Sequence, residues 1–281
     1  FWPTFAENYA PQVPVTGNIL LLLLIVFSLL PAGLAQPENS EISSLTVNDG
    51  LSAGMVNCVF QDSDGFIWIG TDNGLNRYDG YEFVIYANDP YDTNAISHNQ
   101  IKTIFEDNRK RLWIGTTKGF NLFDKETEAF YHAAKATSLA EKQINSIAED
   151  KNGRLWAVTG EGIIFSATVI EKENGVKEVA VSDVPNVGTR HALSLQKDQD
   201  TDSFSPIPQI FIDSKDRLWA HSENGVFMIS NISETKPGGM VENIHRLPEN
   251  CAGKAPNAHR RRCIYEDSKN QVWMGASSGV W

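Results

Sequence analysis

Three stretches of the chain set residue types at spacings that could do chemistry. Gly275-Ala276-Ser277-Ser278-Gly279 fits G-x-S-x-G, the pattern that exposes a serine nucleophile on a strained strand-to-helix turn. Asp198-Gln199-Asp200-Thr201-Asp202 alternates carboxylates as the start of a calcium loop does. That loop also needs a glycine sixth and a bidentate glutamate twelfth, where Ser203 and Gln209 stand, so a solvated acidic loop is the expectation. The third stretch is a set scattered along the chain, Asn57, Lys102, Asn145 and Arg262, each eleven residues before a tryptophan, with Pro208 breaking the series. Amides and cations of this kind suit recognition of a polar ligand better than proton transfer.

The tryptophans define the elements that would position these groups. Five of the seven sit six residues after an aspartate and six before a glycine: Asp62/Trp68/Gly74, Asp107/Trp113/Gly119, Asp150/Trp156/Gly162, Asp213/Trp219/Gly225 and Asp267/Trp273/Gly279. The intervals between them run from 43 to 63 residues, the length of one repeat unit. In the first repeat, strands are expected over 56–61, 66–71, 75–78 and 83–86, separated by Asp62-Ser63-Asp64-Gly65, Asp72-Asn73-Gly74 and Asp79-Gly80 turns. Three residues before each tryptophan stand Gly65, Lys110, Gly153, Asp216 and Asn270, mostly types that tolerate a tight or left-handed turn. Adjacent apolar pairs such as Val59/Phe60 and Ile104/Phe105 call for cover on both sheet faces, which radial stacking of blades provides. The fold class is therefore all-β, a β-propeller with about five four-stranded blades present. In that register Gly275 to Gly279 aligns with the hairpin turns Gly70 to Gly74 and Gly115 to Gly119, which removes the serine elbow.

Composition bounds the rest. Lys and Arg number 24 against 35 Asp and Glu, and Glu7 is the one charged residue before position 36, so nucleic acid is excluded as a partner. Three cysteines without a C-x-x-C pair and six histidines without ligand-like spacing predict no metal and no cofactor. A bridge between Cys251 and Cys263, which bracket one loop, stays open. Ile19 to Leu30 is an apolar run followed by Pro31 and Gly33-Leu34-Ala35, the pattern of an export signal cut before Gln36, and it is short beside the ~20 residues of a spanning helix. The expected organisation is an upstream extension (1–17), a signal peptide (18–35) and a propeller (36–281), with repeat cores at about 56–86, 101–131, 144–166, 207–230 and 261–281. Leu45-Thr46-Val47 is expected as an outer strand whose blade partners come from the C-terminal end of the ring. The ring is expected to be incomplete, stopping in the third strand of the fifth repeat.

These residues also carry a resemblance. Gly50-Leu51-Ser52, Val56 to Val59, Gln61 to Thr71 and Gly74 to Phe83, with Ile104 to Asp107 and Leu112 to Thr116, resemble the two-component regulator propeller repeat. The likeness extends over about 45–281; it is weaker in the third and fourth repeats, where Val158 and His221 replace the glycine two after tryptophan, and returns at Gly275. The resemblance implies a periplasmic input region of a bacterial hybrid two-component sensor, within a seven-bladed ring. It further implies an inner-membrane anchor and a histidine kinase elsewhere in the protein, oligosaccharide ligands, and no catalytic residues. The Asp box of sialidase propellers does not match, since Asp62 lies six residues before Trp68 where that motif has five.

Variable loops at 87–100, 131–143, 166–206 and 231–260 fall at one end of such blades, where recognition usually resides. Asn57, Lys102, Asn145 and Arg262 would open there, joined by His98, Arg190, His259, Arg260 and Arg261. Expected partners are an oligosaccharide or similar polar ligand, the remaining blades and signalling domains, and in some arrangements a homodimer. A propeller enzyme, either a polysaccharide lyase or a glycoside hydrolase, and a protein-interaction propeller remain the competing classes.

Overall fold

The aspartate-to-tryptophan spacing has a direct physical cause in the computed structural model, which describes residues 43–133, 141–171, 177–183, 209–222, 225–232, 244–246, 263–276 and 279–280. In every repeat one carboxylate oxygen closes a turn and the other holds an indole. Asp62 Oδ1 accepts the backbone N–H groups of Asp64 and Phe66, each at 3.0 Å, and Oδ2 accepts the Trp68 indole N–H at 2.8 Å. Asp107, Asp150, Asp213 and Asp267 do the same for Trp113, Trp156, Trp219 and Trp273 at 2.8 to 3.0 Å. The residue three before each tryptophan lies in the left-handed region: Gly65 (φ 93°), Lys110 (61°), Gly153 (75°), Asp216 (61°) and Asn270 (59°). Such a turn lets a six-residue spacing bring the tryptophan back over the aspartate.

Around these hubs the strands form antiparallel sheets. Blade one is β1 (Val56–Gln61), β2 (Ile67–Thr71), β3 (Gly74–Tyr78) and β4 (Phe83–Tyr86); blade two is β5 (Ile101–Glu106), β6 (Leu112–Thr116), β7 (Gly119–Asp124) and β8 (Ala129–His132). Blade three is β9 (Ile144–Glu149), β10 (Leu155–Thr159), β11 (Ile164–Glu171) and β12 (Lys177–Asp183). Blade four is β13 (Gln209–Ile212), β14 (Leu218–Ser222), β15 (Gly225–Ile229) and β16 (Ile244–Arg246), and blade five shows β17 (Cys263–Glu266), β18 (Val272–Ala276) and β19 (Gly279–Val280). Each repeat tryptophan pairs with the residue eight before it, from Trp68 with Phe60 to Trp273 with Tyr265, so the register of the first two strands is common to all five blades. The molecule is an all-β propeller built of successive blades.

The cores lie between blades. Trp68 packs with Ile101, Ile104, Leu112 and Phe123 of blade two; Trp113 with Ile144, Ile147 and Phe165 of blade three; Trp156 with Ile210, Leu218 and Ala220 of blade four; Trp219 with Ile264 of blade five. Each blade thus turns its tryptophan face to the next one, and four of these residues are 0 to 7 % exposed. A second contact recurs at the joints. Glu106 accepts the Ser63 backbone N–H and hydroxyl at 2.8 and 3.1 Å, and Glu266 accepts the same two donors of Ser214 at 2.8 and 2.7 Å. Glu149 accepts the Asn108 N–H at 2.8 Å. At these three joints a carboxylate seven before one tryptophan therefore caps the turn of the preceding blade, while the joint between blades three and four has Ile212 there.

Three expectations change. Gly162 does not share the structural role of the other repeat glycines. Gly74, Gly119, Gly225 and Gly279 each open a third strand, paired across two turn residues with Thr71, Thr116, Ser222 and Ala276. In blade three the Thr159 N–H bonds Ile163 O at 2.9 Å across three residues, and Gly162 lies inside that turn at φ 84°, donating to Thr159 O at 2.9 Å. The strand β11 begins two residues later, at Ile164, which pairs with Val158. The cause is a wider hairpin: Gly160-Glu161-Gly162 makes a three-residue loop whose last position is left-handed, so equal spacing in sequence conceals one extra turn residue.

The second change is at Leu45 to Val47, which form no strand. Thr46 caps a 3-10 turn, Val47–Asp49, that ends at left-handed Gly50 (φ 107°), because no described strand pairs with this segment. Third, the segment after 166, expected as a loop, begins with a long hairpin in which Ala167, Val169 and Val181 pack on blade three's core. Residues 1–42, with the expected signal segment, lie outside the described part, as do Cys251 and the Cys263 side chain. No helix among the described residues is long and apolar enough to cross a membrane.

Candidate ligand-binding mouth

Antiparallel pairing puts the start of each blade's first strand and the turn between its second and third strands at one end. There backbone bonds tie one blade's turn to the next blade's lead-in, Gly74 N–H to Asn99 O (2.7 Å) and Gly119 to Lys142 (3.0 Å), and a blade's turn to its own lead-in, Thr117 to Gln100 (3.0 Å) and Gly160 to Gln143 (2.8 Å). Strands β1, β5 and β9 adjoin, and Asn57, Lys102 and Asn145 are the second residues of these strands. The structure thus sets the three at equivalent, half-buried places across neighbouring blades.

Their surroundings are polar and ordered. Asp72, on the β2–β3 turn, accepts the Asn57 and Gln100 side-chain amides at 2.8 Å each. The Asn57 bond first, then the Gln100 bond, hold its carboxyl below the usual value, aided by the Lys102 charge. Gln143 donates to Asn145 Oδ1 at 2.6 Å, and Lys142 pairs with Glu161, in the three-residue turn that Gly162 closes. No described residue hydrogen-bonds the Lys102 ammonium, whose charge is felt by Asp72 and by the Cys58 thiol below it. Cys58 is pushed up to about 12, chiefly by burial, and stays a neutral thiol.

His98 lies in the lead-in to β5, and its Nδ1 is already engaged. It accepts the Gln100 N–H at 3.1 Å and bonds the Thr117 hydroxyl at 2.7 Å. Burial, then the Lys118 charge, lower its pKa, so the ring is neutral with its proton on Nε2. Its described contacts position the lead-in. Arg190, His259, Arg260, Arg261 and Arg262 lie outside the described residues, as does the acidic run at 198–202. Gly275 is on β18, which pairs antiparallel with β19 through Ala276 and Gly279; that hairpin is not a strand-to-helix elbow.

At the opposite end, Asp62, Asp64 and Glu106 bring carboxylate oxygens within 4.8 Å of one another. The Lys125 ammonium stands among them at 3.0, 2.7 and 2.9 Å. Burial pulls the lysine pKa down, but its bonds to the three carboxylates outweigh that and hold it above the ordinary value. The cluster is an ionic clamp between blades one and two.

Other groups carry no obvious sequence signal. Asn76 and Asn121, fully buried, each accept a serine N–H (Ser52 at 2.9 Å, Ser97 at 3.0 Å) and donate back to its hydroxyl, fastening the lead-in to the third strand. Their place two residues after the repeat glycine is the one available clue. Arg111, Arg154 and Arg217, two before a tryptophan, stack on its ring at 5.1 to 5.7 Å.

The sequence model of the two component regulator propeller family matches residues 50–73, 95–118 and 138–161. Each match runs from the lead-in through the aspartate and tryptophan to the turn at the mouth. Over 81 residues the chain is 44 % identical to Histidine kinase P4 of Formosa agariphila, a stretch that makes up 28 % of this chain and 6 % of that protein. Among solved structures, the extracellular domain of a one component system of B. thetaiotaomicron shares the fold, with a TM-score of 0.59 and 24 % identity over 84 % of this chain and 31 % of that one. Virginiamycin B lyase of Staphylococcus aureus shares it at a TM-score of 0.50 and 16 % identity, over 78 % of this chain and 62 % of the lyase. The chain spans under a third of the first two of these proteins. Residues 50–73, 95–118 and 138–161 thus each resemble a two-component regulator propeller repeat.

Proposed function

We propose that the chain is the extracytoplasmic, periplasmic ligand-sensing part of a two-component signalling protein, binding an oligosaccharide or similar polar ligand without converting it. The observation that carries this reading is the row Asn57, Lys102, Asn145 across three adjoining first strands, framed by Asp72, Gln100 and Gln143. Side-chain amides, and an ammonium that no described residue hydrogen-bonds, are groups that recognise hydroxyls and carboxylates. At this end Asp72 is engaged by two amides and Glu161 by Lys142, whereas glycoside hydrolysis needs two carboxyl groups facing the substrate. Kinship with a histidine kinase over 81 residues supports coupling to a kinase outside this chain, in a protein anchored in the inner membrane.

Calorimetry against a panel of acidic and neutral glycans, followed by chromatography of the recovered ligand, tests both halves. Binding that weakens at least about tenfold in Lys102→Ala, with the glycan recovered intact, is expected. In the full-length protein, Lys102→Ala and Arg262→Ala should weaken ligand binding and kinase output together, since a ligand shifts a receptor only through differential affinity. A shortened or unsaturated glycan would make the protein an enzyme.

A further inference from the structure

Blade one shows how the mouth satisfies its own polar groups, and blade two departs from it at one residue. The ladder between the first two strands skips Asn57, Lys102 and Asn145 in blades one to three. Each is therefore the extra residue of a β-bulge, a device that re-aims a side chain. In blade one the bulge residue has a partner: Asp72 accepts the Asn57 amide and, from the lead-in of blade two, the Gln100 amide, both at 2.8 Å. The turn residue of blade two that corresponds to Asp72, four after its tryptophan, is Thr117. The backbone around the two is alike. Asp72 N–H bonds Met55 O at 3.3 Å and Thr117 N–H bonds Gln100 O at 3.0 Å, and both acceptors lie thirteen residues before their tryptophan.

The acid is what blade two lacks. The Thr117 hydroxyl is bonded to His98 at 2.7 Å, and Gln143, the counterpart of Gln100, turns to Asn145 of its own blade at 2.6 Å. Lys102, the counterpart of Asn57, is half-buried, and no described residue hydrogen-bonds its ammonium; its charge reaches Asp72 without an ion pair between them. Lys118, exposed beside Thr117, adds a second positive charge, felt by His98. A cation where the repeat has an amide, beside a turn where the repeat has an acid and blade two has none, leaves one anionic place in the pattern. We propose that a carboxylate of the ligand fills it, so that the mouth selects a uronate-bearing glycan, its carboxylate at the Thr117 turn as the Asp72 carboxylate is at blade one, held by Lys102. The inference rests on the reading of this end as a glycan site and adds the charge of what binds there.

Calorimetry against a panel of uronate disaccharides, each paired with its methyl ester and its neutral parent sugar, tests this. An acid should bind about tenfold or more tightly than its ester and its parent. Lys102→Met, which keeps the apolar stem and removes the charge, should bring acid and ester level. Thr117→Asp restores the blade-one arrangement, and its carboxylate should take Lys102 and weaken the acid about tenfold while sparing the ester. Thr117→Asn, of the same shape without the charge, should do so far less. Esters or parent sugars that bind as tightly as the acids would overturn the carboxylate site and leave the glycan reading standing. So would a preference for the acid that survives Lys102→Met, an equal effect of Thr117→Asp and Thr117→Asn, or sulfated disaccharides that outcompete every uronate. A panel with no binder at all would remove the glycan reading, and the inference with it.

Discussion

An aspartate that closes a turn with one oxygen and grips an indole with the other makes each repeat sensitive to a single atom. Replacing Asp107 by Ala strands the indole N–H of Trp113, two turn amides and the Arg111 guanidinium, which bonds Oδ2 at 2.6 Å. Urea unfolding should show a loss of roughly 2–4 kcal/mol. Asp267→Ala, at an exposed hub with no arginine on it, should cost distinctly less. Acid acts on the same oxygens. For Asp62 and Asp213, burial raises the pKa, but the Trp68 and Lys125 bonds at the first, and the Arg217 and Trp219 bonds at the second, win and lower it below 3.8. A carboxyl depressed by folding contributes stability that is complete above the unfolded value and is lost as pH falls through the folded one. Melting temperature should therefore drop as pH goes from about 4 to about 2, more steeply than the surface charge alone dictates. Glu149 has the opposite sign. Burial, chiefly, raises it above 4.5, and its Oε1 has no partner among the described residues because Asn108 stands where the other two glutamate-capped joints have serine. Asn108→Ser supplies the missing hydroxyl and should stabilise by about 1 kcal/mol at neutral pH. The gain should shrink below pH 4.5, where Glu149 is protonated in both states.

Blades approach one another so closely that backbone positions decide whether elements stack. A Cβ on Gly115 would lie 2.6 Å from Thr103 Cγ2 and 2.9 Å from Ile144 Cβ, the latter on the next blade. Gly115→Ala should cost about 1–3 kcal/mol through overpacking. Gly65→Ala meets no atom within 4 Å and suffers only its left-handed φ of 93°, so it should cost about 1 kcal/mol. Denaturant midpoints would rank the two. Strands and turns were readable in the sequence because they follow from local chemistry: aspartate and glycine at turns, paired apolar residues in doubly covered strands. Gly162 shows the limit of that legibility. Its distance from Trp156 matches the other repeats, yet the number of residues in a hairpin turn is set by backbone geometry, and the second glycine at 160 lets the turn widen. The β11–β12 extension was less legible still, since Glu171 to Lys177 interrupts the apolar alternation and the hairpin carries no tryptophan marker. Residues 45–47 have strand-like composition, but a strand needs a partner, and pairing across blades is not written locally. Asn76 and Asn121 escaped because a buried asparagine is recognised by the serine it holds, 24 residues away.

At the scale of the whole molecule, joints of one kind repeated from blade to blade make a rigid stack whose end, where first strands begin, carries the polar groups. The sequence placed Asn57, Lys102 and Asn145 at one repeat position; their shared hydrogen-bond frame, and the engagement of His98 Nδ1 by Gln100 and Thr117, depend on side-chain directions that spacing does not encode. Ligand footprinting by amide hydrogen exchange tests the central claim most directly. With a bound glycan, protection should appear together at 55–57, 72–73, 99–102, 117–118 and 142–145, and be absent from the opposite-end turns 62–65, 107–110 and 150–153. Protection confined to those opposite turns, or to the flanks of the blades, would contradict the account.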